Sequence, residues 1–127
     1  MEGLISGFLV LADPYLLALL VMATLGGVVI GALPGLNATT GAALLLPFTL
    51  TMDPVPAISI MTAIYCSATF AGAITAILIN TPGTAASATT CLDGYPLAQR
   101  GEAGRALGMA VVSSTIGGVF SVICLMI

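Results

Sequence analysis

The chain reads as an all-α integral membrane protein, and three observations carry that reading. Mean hydropathy is +1.20, 59% of residues are hydrophobic and only 6% are charged, against about 25% charged in a soluble domain. The charges are segregated: none lies between Asp13 and Asp53, between Asp53 and Asp93, or after Arg105. Finally, two Pro-Gly breaks, Pro34-Gly35 and Pro82-Gly83, interrupt stretches otherwise long and apolar enough to cross a bilayer. About 20 apolar residues span the hydrocarbon core, so each charge-free interval holds at least one crossing. A soluble protein of 127 residues is too small to enclose helices that are apolar on every side. The expectation is about three spanning helices plus two Pro-Gly-broken half-helices or re-entrant segments.

In chain order, Met1 to Ala12 reads as a short lead-in helix, amphipathic or apolar, lying along the interface. With Glu2 and no basic residue it lacks the charged start of a secretory signal, so it is expected to stay in the mature protein. Asp13-Pro14 is a helix start, Asp as N-cap and Pro in the first turn, for a spanning helix from Tyr15 to Leu33. Gly27, Gly31 and Gly35 form a small-residue face on its second half, open to close helix packing. After the first break, Gly41 to Leu50 is ten residues, which rise about 15 Å, half the hydrocarbon thickness. Asp53-Pro54-Val55-Pro56 reads as a loop, and Ala57 to Leu78 as the next spanning helix, with Ala68, Ala71 and Gly72 as its small face. Ala85 to Leu92 is another half-crossing, and Asp93-Gly94-Tyr95-Pro96 reads as a turn. A polar segment, Gly94 to Gly104, precedes a last helix from Ala106 to Ile127, where the chain looks truncated. Helix, break, short return and Asp-x-x-Pro thus occur twice.

Orientation follows basic residues. Both of them, Arg100 and Arg105, fall in the 94–104 segment, which is therefore expected on the cytoplasmic side. Glu102 and Arg105 are spaced to pair at a helix start. The net charge of −3 adds nothing. Cys66, Cys91 and Cys124 lack metal-ligand spacing and there is no histidine, so they read as packing residues. No nucleotide motif, basic tract or Ser-His or Cys-His pair is present; nucleic acid and hydrolytic or redox chemistry have no foothold, and the chain reads as no enzyme.

The breaks carry the functional argument. Broken backbone at membrane depth exposes peptide groups that lipid cannot satisfy, and transporters use such breaks as binding sites. A helix starting at a break presents free N–H groups and a positive dipole end to an anion; one ending there presents carbonyls to a cation. Pro34, Gly35, Asn37, Thr39 and Thr40 at the first break are the candidate substrate-binding residues. Asn80, Thr81, Pro82, Gly83, Thr84 and Ser87 are their counterparts at the second. They would bind without a charged side chain, which at the bilayer centre costs at least ~2.5–3.5 kcal/mol. On the residues alone, Ser and Thr repairing backbone at packing kinks is an equally open reading. Asp93 reads as a turn former first and a holder of a coupling cation or proton second.

Four motifs together carry a family resemblance: Gly31-Ala-Leu-Pro-Gly-Leu36, Ala43-Leu-Leu-Leu-Pro47, Ile77-Leu-Ile-Asn-Thr-Pro-Gly83, and Asp93-Gly-Tyr-Pro-Leu-Ala-Gln-Arg-Gly-Glu-Ala-Gly-Arg-Ala-Leu-Gly108. In order and spacing they resemble the N-terminal region of TctA, the large membrane subunit of tripartite tricarboxylate transporters, over nearly the whole chain. The resemblance implies that residues 1–127 are the N-terminal part of a larger, multi-pass transporter fold in the bacterial inner membrane. It implies uptake of citrate-like tricarboxylates or related organic acids, driven by a cation gradient (Na⁺ or H⁺). It also implies two partners, a small membrane subunit and a periplasmic substrate-binding protein. Family members are several times longer, so a chain of this length is not expected to transport alone. The rivals are a structural or assembly membrane subunit with packing kinks, and a membrane enzyme, for which a cluster of ionisable residues would be expected.

Overall fold

The computed structural model describes residues 2–126, with side chains from residue 6 onward apart from residue 8. Six helices follow one another: α1 (Glu2–Leu11), α2 (Pro14–Ala32), α3 (Ala38–Thr49), α4 (Pro54–Ile79), α5 (Ser87–Gln99) and α6 (Ala103–Met126). Among the described residues there is no strand. α2, α4 and α6 are long and apolar enough to cross a membrane, and α3 is a shorter apolar helix. The predicted class is therefore the observed one.

Local chemistry sets most boundaries. Asp13 caps α2 as expected, its carboxylate accepting from the Tyr15 N–H at 3.0 Å, with Pro14 at the first position. The expected loop at Pro54-Val55-Pro56 is instead the first turn of α4. Proline is tolerated there, because first-turn N–H groups have no intrahelical partner to lose. α3 starts at Ala38, earlier than Gly41, because Asn37 caps it. The last helix likewise starts at Ala103, with the Glu102 carbonyl accepting from Arg105 and Ala106.

The Asp93 turn is a correction. α5 runs unbroken through Asp93-Gly-Tyr-Pro to Gln99, so the half-crossing extends past Leu92 and the polar segment shrinks to the link Arg100-Gly101-Glu102. Gly94 is the reason: a Cβ there would stand 2.7 Å from Ile77 Cγ1, so its bareness seats α5 against α4. Pro96 removes one helical donor but leaves the rest of the helix in place. The Glu102–Arg105 pair forms as predicted, at 2.9 Å on the surface.

α4 is the centre of the packing and touches α2, α3, α5 and α6. Ala23 packs with Ile60 and Ile64, Gly27 lies on Ile64 and Ser67, and Gly31 lies on Ala68. These matches rise together, so α2 runs parallel to α4 and ends beside its middle. A Cβ on Gly27 or Gly31 would collide with Ser67 or with the Ala68 carbonyl. Gly35 departs from the expected face: it has open space around it and φ +91°, so it serves the turn. α3 returns alongside α2, Gly41 meeting Ile30 and Ile64. After α4, residues 80–86 double back until Gly83 lies on Gly72; α5 then climbs parallel to α4 to bring Gly94 to Ile77.

Two hairpins therefore reach the middle of α4 from its opposite ends. Hydroxyls within the helices bond back to their own backbone, such as Thr24 to the Leu20 carbonyl and Thr69 to the Tyr65 carbonyl, both at 2.7 Å. No buried side-chain N or O of the described residues lacks a partner. α6 buries only Ala106 and turns Met109, Val112, Ile116 and Phe120 outward, a surface suited to lipid or to more protein rather than to water.

A candidate anion-binding cleft where the two breaks meet

At the first break the chain leaves α2 in extended conformation at Leu33 and turns at Gly35. It starts α3 behind Asn37, whose Oδ1 accepts from the Thr40 N–H at 2.8 Å and the Thr40 hydroxyl at 2.9 Å. At the second, Asn80 ends α4 in the left-handed region at φ 55°, its N–H donating to the Thr75 carbonyl, which the Thr81 N–H also reaches at 3.4 Å. Asn is among the few residues that tolerate this helix-ending conformation. Gly83 needs no special φ but has no room for a side chain: a Cβ would stand 2.9 Å from Gly72 Cα and 3.2 Å from the Gly31 carbonyl.

Thr84 then closes the turn that leads into α5 through a reciprocal box with Ser87, the first residue of that helix. The Thr84 N–H donates to Ser87 Oγ at 3.0 Å, and the Ser87 N–H donates to Thr84 Oγ1 at 3.2 Å. The Thr84 hydroxyl also donates to Ser87 Oγ, and the Ser87 hydroxyl to the Thr84 carbonyl. Such boxes satisfy two helix-start donors at once. Both breaks thus use a polar side chain bonded to the residue three later, Asn37 as the cap of α3 and Thr84 in the turn before α5, although Asn37 lies three residues beyond its proline and Thr84 two.

Both caps border one cleft of about 310 Å³, lined by Asn37, Ala38 and Thr39 at the start of α3, Thr84, Ala85 and Ala86 at the start of α5, and Tyr65 and Thr69 from α4. A second cavity of about 450 Å³ shares Tyr65, Thr69, Thr84 and Ala86 and adds Ser87, Thr90 and Ser114. No Asp, Glu, Lys or Arg lines either one. The positive field comes from the backbone. Two helix starts converge here, and the N–H groups of Ala38, Thr39, Ala85 and Ala86 meet no acceptor among the described residues.

Of the predicted positions, the structure brings Asn37, Thr39, Thr84 and Ser87 together around these cavities. Thr40 supports the Asn37 cap from behind. Pro34, Gly35, Asn80, Thr81, Pro82 and Gly83 line neither cavity; they bend the chain so that the caps meet. The hydroxyls also divide by commitment. Those of Thr40, Thr84, Ser87 and Thr69 donate within the protein, whereas Asn37 Nδ2, the Thr39 hydroxyl and the Tyr65 phenol donate to no described residue. Tyr65 and Thr69 were not legible as site residues. They sit within an apolar helix, and only their one-turn spacing marks a shared polar face. No group of three or more His, Cys, Asp or Glu able to hold a metal occurs among the described residues.

A family model described as "Tripartite tricarboxylate transporter TctA family" matches residues 17–127. A curated relative from Agrobacterium vitis, "Uncharacterized 52.8 kDa protein in TAR-I ttuC' 3'region", is 43% identical over 101 residues, 80% of this chain. The chain spans 20% of that relative's length. No solved structure matches.

Proposed function

This chain belongs to the tripartite tricarboxylate transporter TctA family, and on that premise we propose that it supplies part of the substrate site of a cation-gradient-driven uptake system for tricarboxylates or related organic acids. In this reading the protein sits in the bacterial inner membrane, with Arg100 and Arg105 on the cytoplasmic side. It works with a small membrane subunit and a periplasmic substrate-binding protein. The observation that carries the proposal is the meeting of two helix starts at one neutral cleft. A carboxylate of the substrate would accept from the unpaired N–H groups of Thr39 and Ala85, and from the Asn37 amide, the Thr39 hydroxyl and the Tyr65 phenol. The anion would be held without burying a permanent opposite charge, so its release on the far side meets no ion pair to break.

One observation favours the rival, a structural subunit with packing kinks: the Thr40, Thr84 and Ser87 hydroxyls are fully used by the caps. Asn37→Asp separates the readings. Aspartate caps a helix as well as asparagine does, so α3 stays intact, but the amide donor is replaced by a negative charge facing the cleft. In the full-length transporter, this change and Thr39→Val should each raise half-saturation for substrate at least tenfold, since hydrogen bonds to charged groups are worth about 1.5–3 kcal/mol. Unchanged half-saturation in both variants would return the cleft to packing.

A further inference from the structure

Asn37 Oδ1 accepts twice from Thr40, from its N–H at 2.8 Å and from its hydroxyl at 2.9 Å. An amide oxygen has two lone pairs, so both are taken. We propose that Thr40 is the positioning residue of the substrate cleft: it holds the Asn37 amide with its oxygen on the helix start and its NH₂ turned to the anion. Thr40 lines no part of that cleft, whereas Asn37 does, so Thr40 acts through its neighbour. The inference rests on the transport reading of the cleft and adds to it the residue that orients its amide donor.

The terminal torsion of asparagine is broad and nearly two-fold, so nothing in the residue itself selects which end of the amide faces the cleft. Thr40 makes the selection. With the amide turned over, its NH₂ would oppose the Thr40 N–H, a helix-start donor that would lose its acceptor. The amide oxygen would then face an anionic ligand. The hydroxyl ties the same oxygen a second time. Elsewhere in the helices, threonine hydroxyls bond back to a backbone carbonyl, as at Thr24, Thr62 and Thr69; that of Thr40 goes to Asn37.

The two breaks therefore serve the cleft unequally. At the second, the Thr84 hydroxyl goes to Ser87 Oγ, the Ser87 hydroxyl to the Thr84 carbonyl and the Thr81 hydroxyl to the Ile79 carbonyl. That break brings the cleft backbone N–H groups alone. The first adds an oriented amide. Asparagine caps a helix with its oxygen and has two protons left over, whereas an aspartate cap has none. An amide held this way favours an anion over a cation at the same spot, with no charge placed in the membrane.

The test is uptake of radiolabelled citrate and succinate by the full-length transporter with its partner subunits, read as half-saturation and maximal rate. Thr40→Val should raise half-saturation about three- to tenfold, the range of a neutral hydrogen bond, and affect maximal rate less. Thr40→Ser keeps the hydroxyl and should recover most of that loss. Asn37→Ser keeps a cap but has no amide, and should raise half-saturation about tenfold or more. In that background Thr40→Val should add nothing, because no amide is left to orient. Thr40→Ala replaces Thr40→Val if the valine variant is not monodisperse. Wild-type half-saturation in Thr40→Val, or the same added loss in both backgrounds, overturns the positioning role alone, since the Asn37→Ser loss would still hold the cleft. Wild-type half-saturation in Asn37→Ser, or uptake of neither acid by wild type, overturns the cleft reading and the positioning role together.

Discussion

Two glycines in equivalent sequence positions solve different physical problems, and substitutions should tell them apart. Gly35 has space but a φ of +91°, while Gly83 has ordinary φ and no space. Gly35→Ala is opposed by backbone strain of about 1–2 kcal/mol, and Gly35→Asn should recover part of it, because Asn tolerates positive φ. Gly83→Ala drives a methyl against the backbone of Gly72 and Gly31, an overpacking cost of about 1–3 kcal/mol, and Asn there should be worse than Ala. Thermal unfolding of the four full-length variants checks this; the same order at both positions would refute the distinction. Valine at either position should abolish uptake, which the same preparations would show. Tyr65 gives the complementary case. It is 54% exposed and faces the cleft, so Tyr65→Phe should leave the melting temperature unchanged while raising half-saturation about tenfold. Unaltered uptake kinetics would remove the phenol from the site.

At the scale of elements, the caps decide where the half-helices start. Thr84 and Ser87 satisfy each other's N–H groups, so they act as one device. Thr84→Ala and Ser87→Ala should each cost about 1 kcal/mol, and the double variant should lose clearly less than the sum, with a coupling of at least about 0.5 kcal/mol. A double-mutant cycle on thermal or denaturant unfolding measures it, and strict additivity would mean that the reciprocal box does not form. α5 shows how tertiary contact overrides a local signal. Asp-Gly-Tyr-Pro is strong turn chemistry, yet the segment is helical because Gly94 lets α5 lie flat on Ile77. The same contact moves Asp93 from a predicted loop to a helix wall.

For the whole molecule, α4 crosses between the hairpins, so the turn joining α3 to α4 and the link joining α5 to α6 lie at opposite ends of that helix. On the proposed orientation, with Arg100 and Arg105 at the cytoplasmic end, a cysteine at Gln99 should resist an impermeant thiol reagent in intact spheroplasts and react after permeabilisation. A cysteine at Thr51, in the α3–α4 turn, should react from outside without it. Labelling of both from the same side would overturn the crossing of α4 between them. The arrangement brings a broken tip to the middle of α4 from each of its ends.

The sequence by itself determined the membrane class, the number of long apolar helices, the two breaks, the Asp13 cap and the Glu102–Arg105 pair. Each rests on composition or on residues within a turn of one another, and such terms do not depend on the rest of the chain. It also placed Gly27 and Gly31 on the small face of α2, and Ala68, Ala71 and Gly72 on that of α4, because small residues at helical spacing let another helix approach closely. Tertiary structure alone decided that α2 ends beside the middle of α4, that Gly83 rather than Gly35 is the tight contact, and that Tyr65 and Thr69 join Asn37, Thr39 and Thr84. It also decided that Asp93 lies on a helix. Those outcomes turn on which backbone approaches which, and close approach joins residues in different elements, from Gly72 and Gly83 to Gly31 and Gly83, pairings that no local pattern of hydrophobicity or turn chemistry encodes.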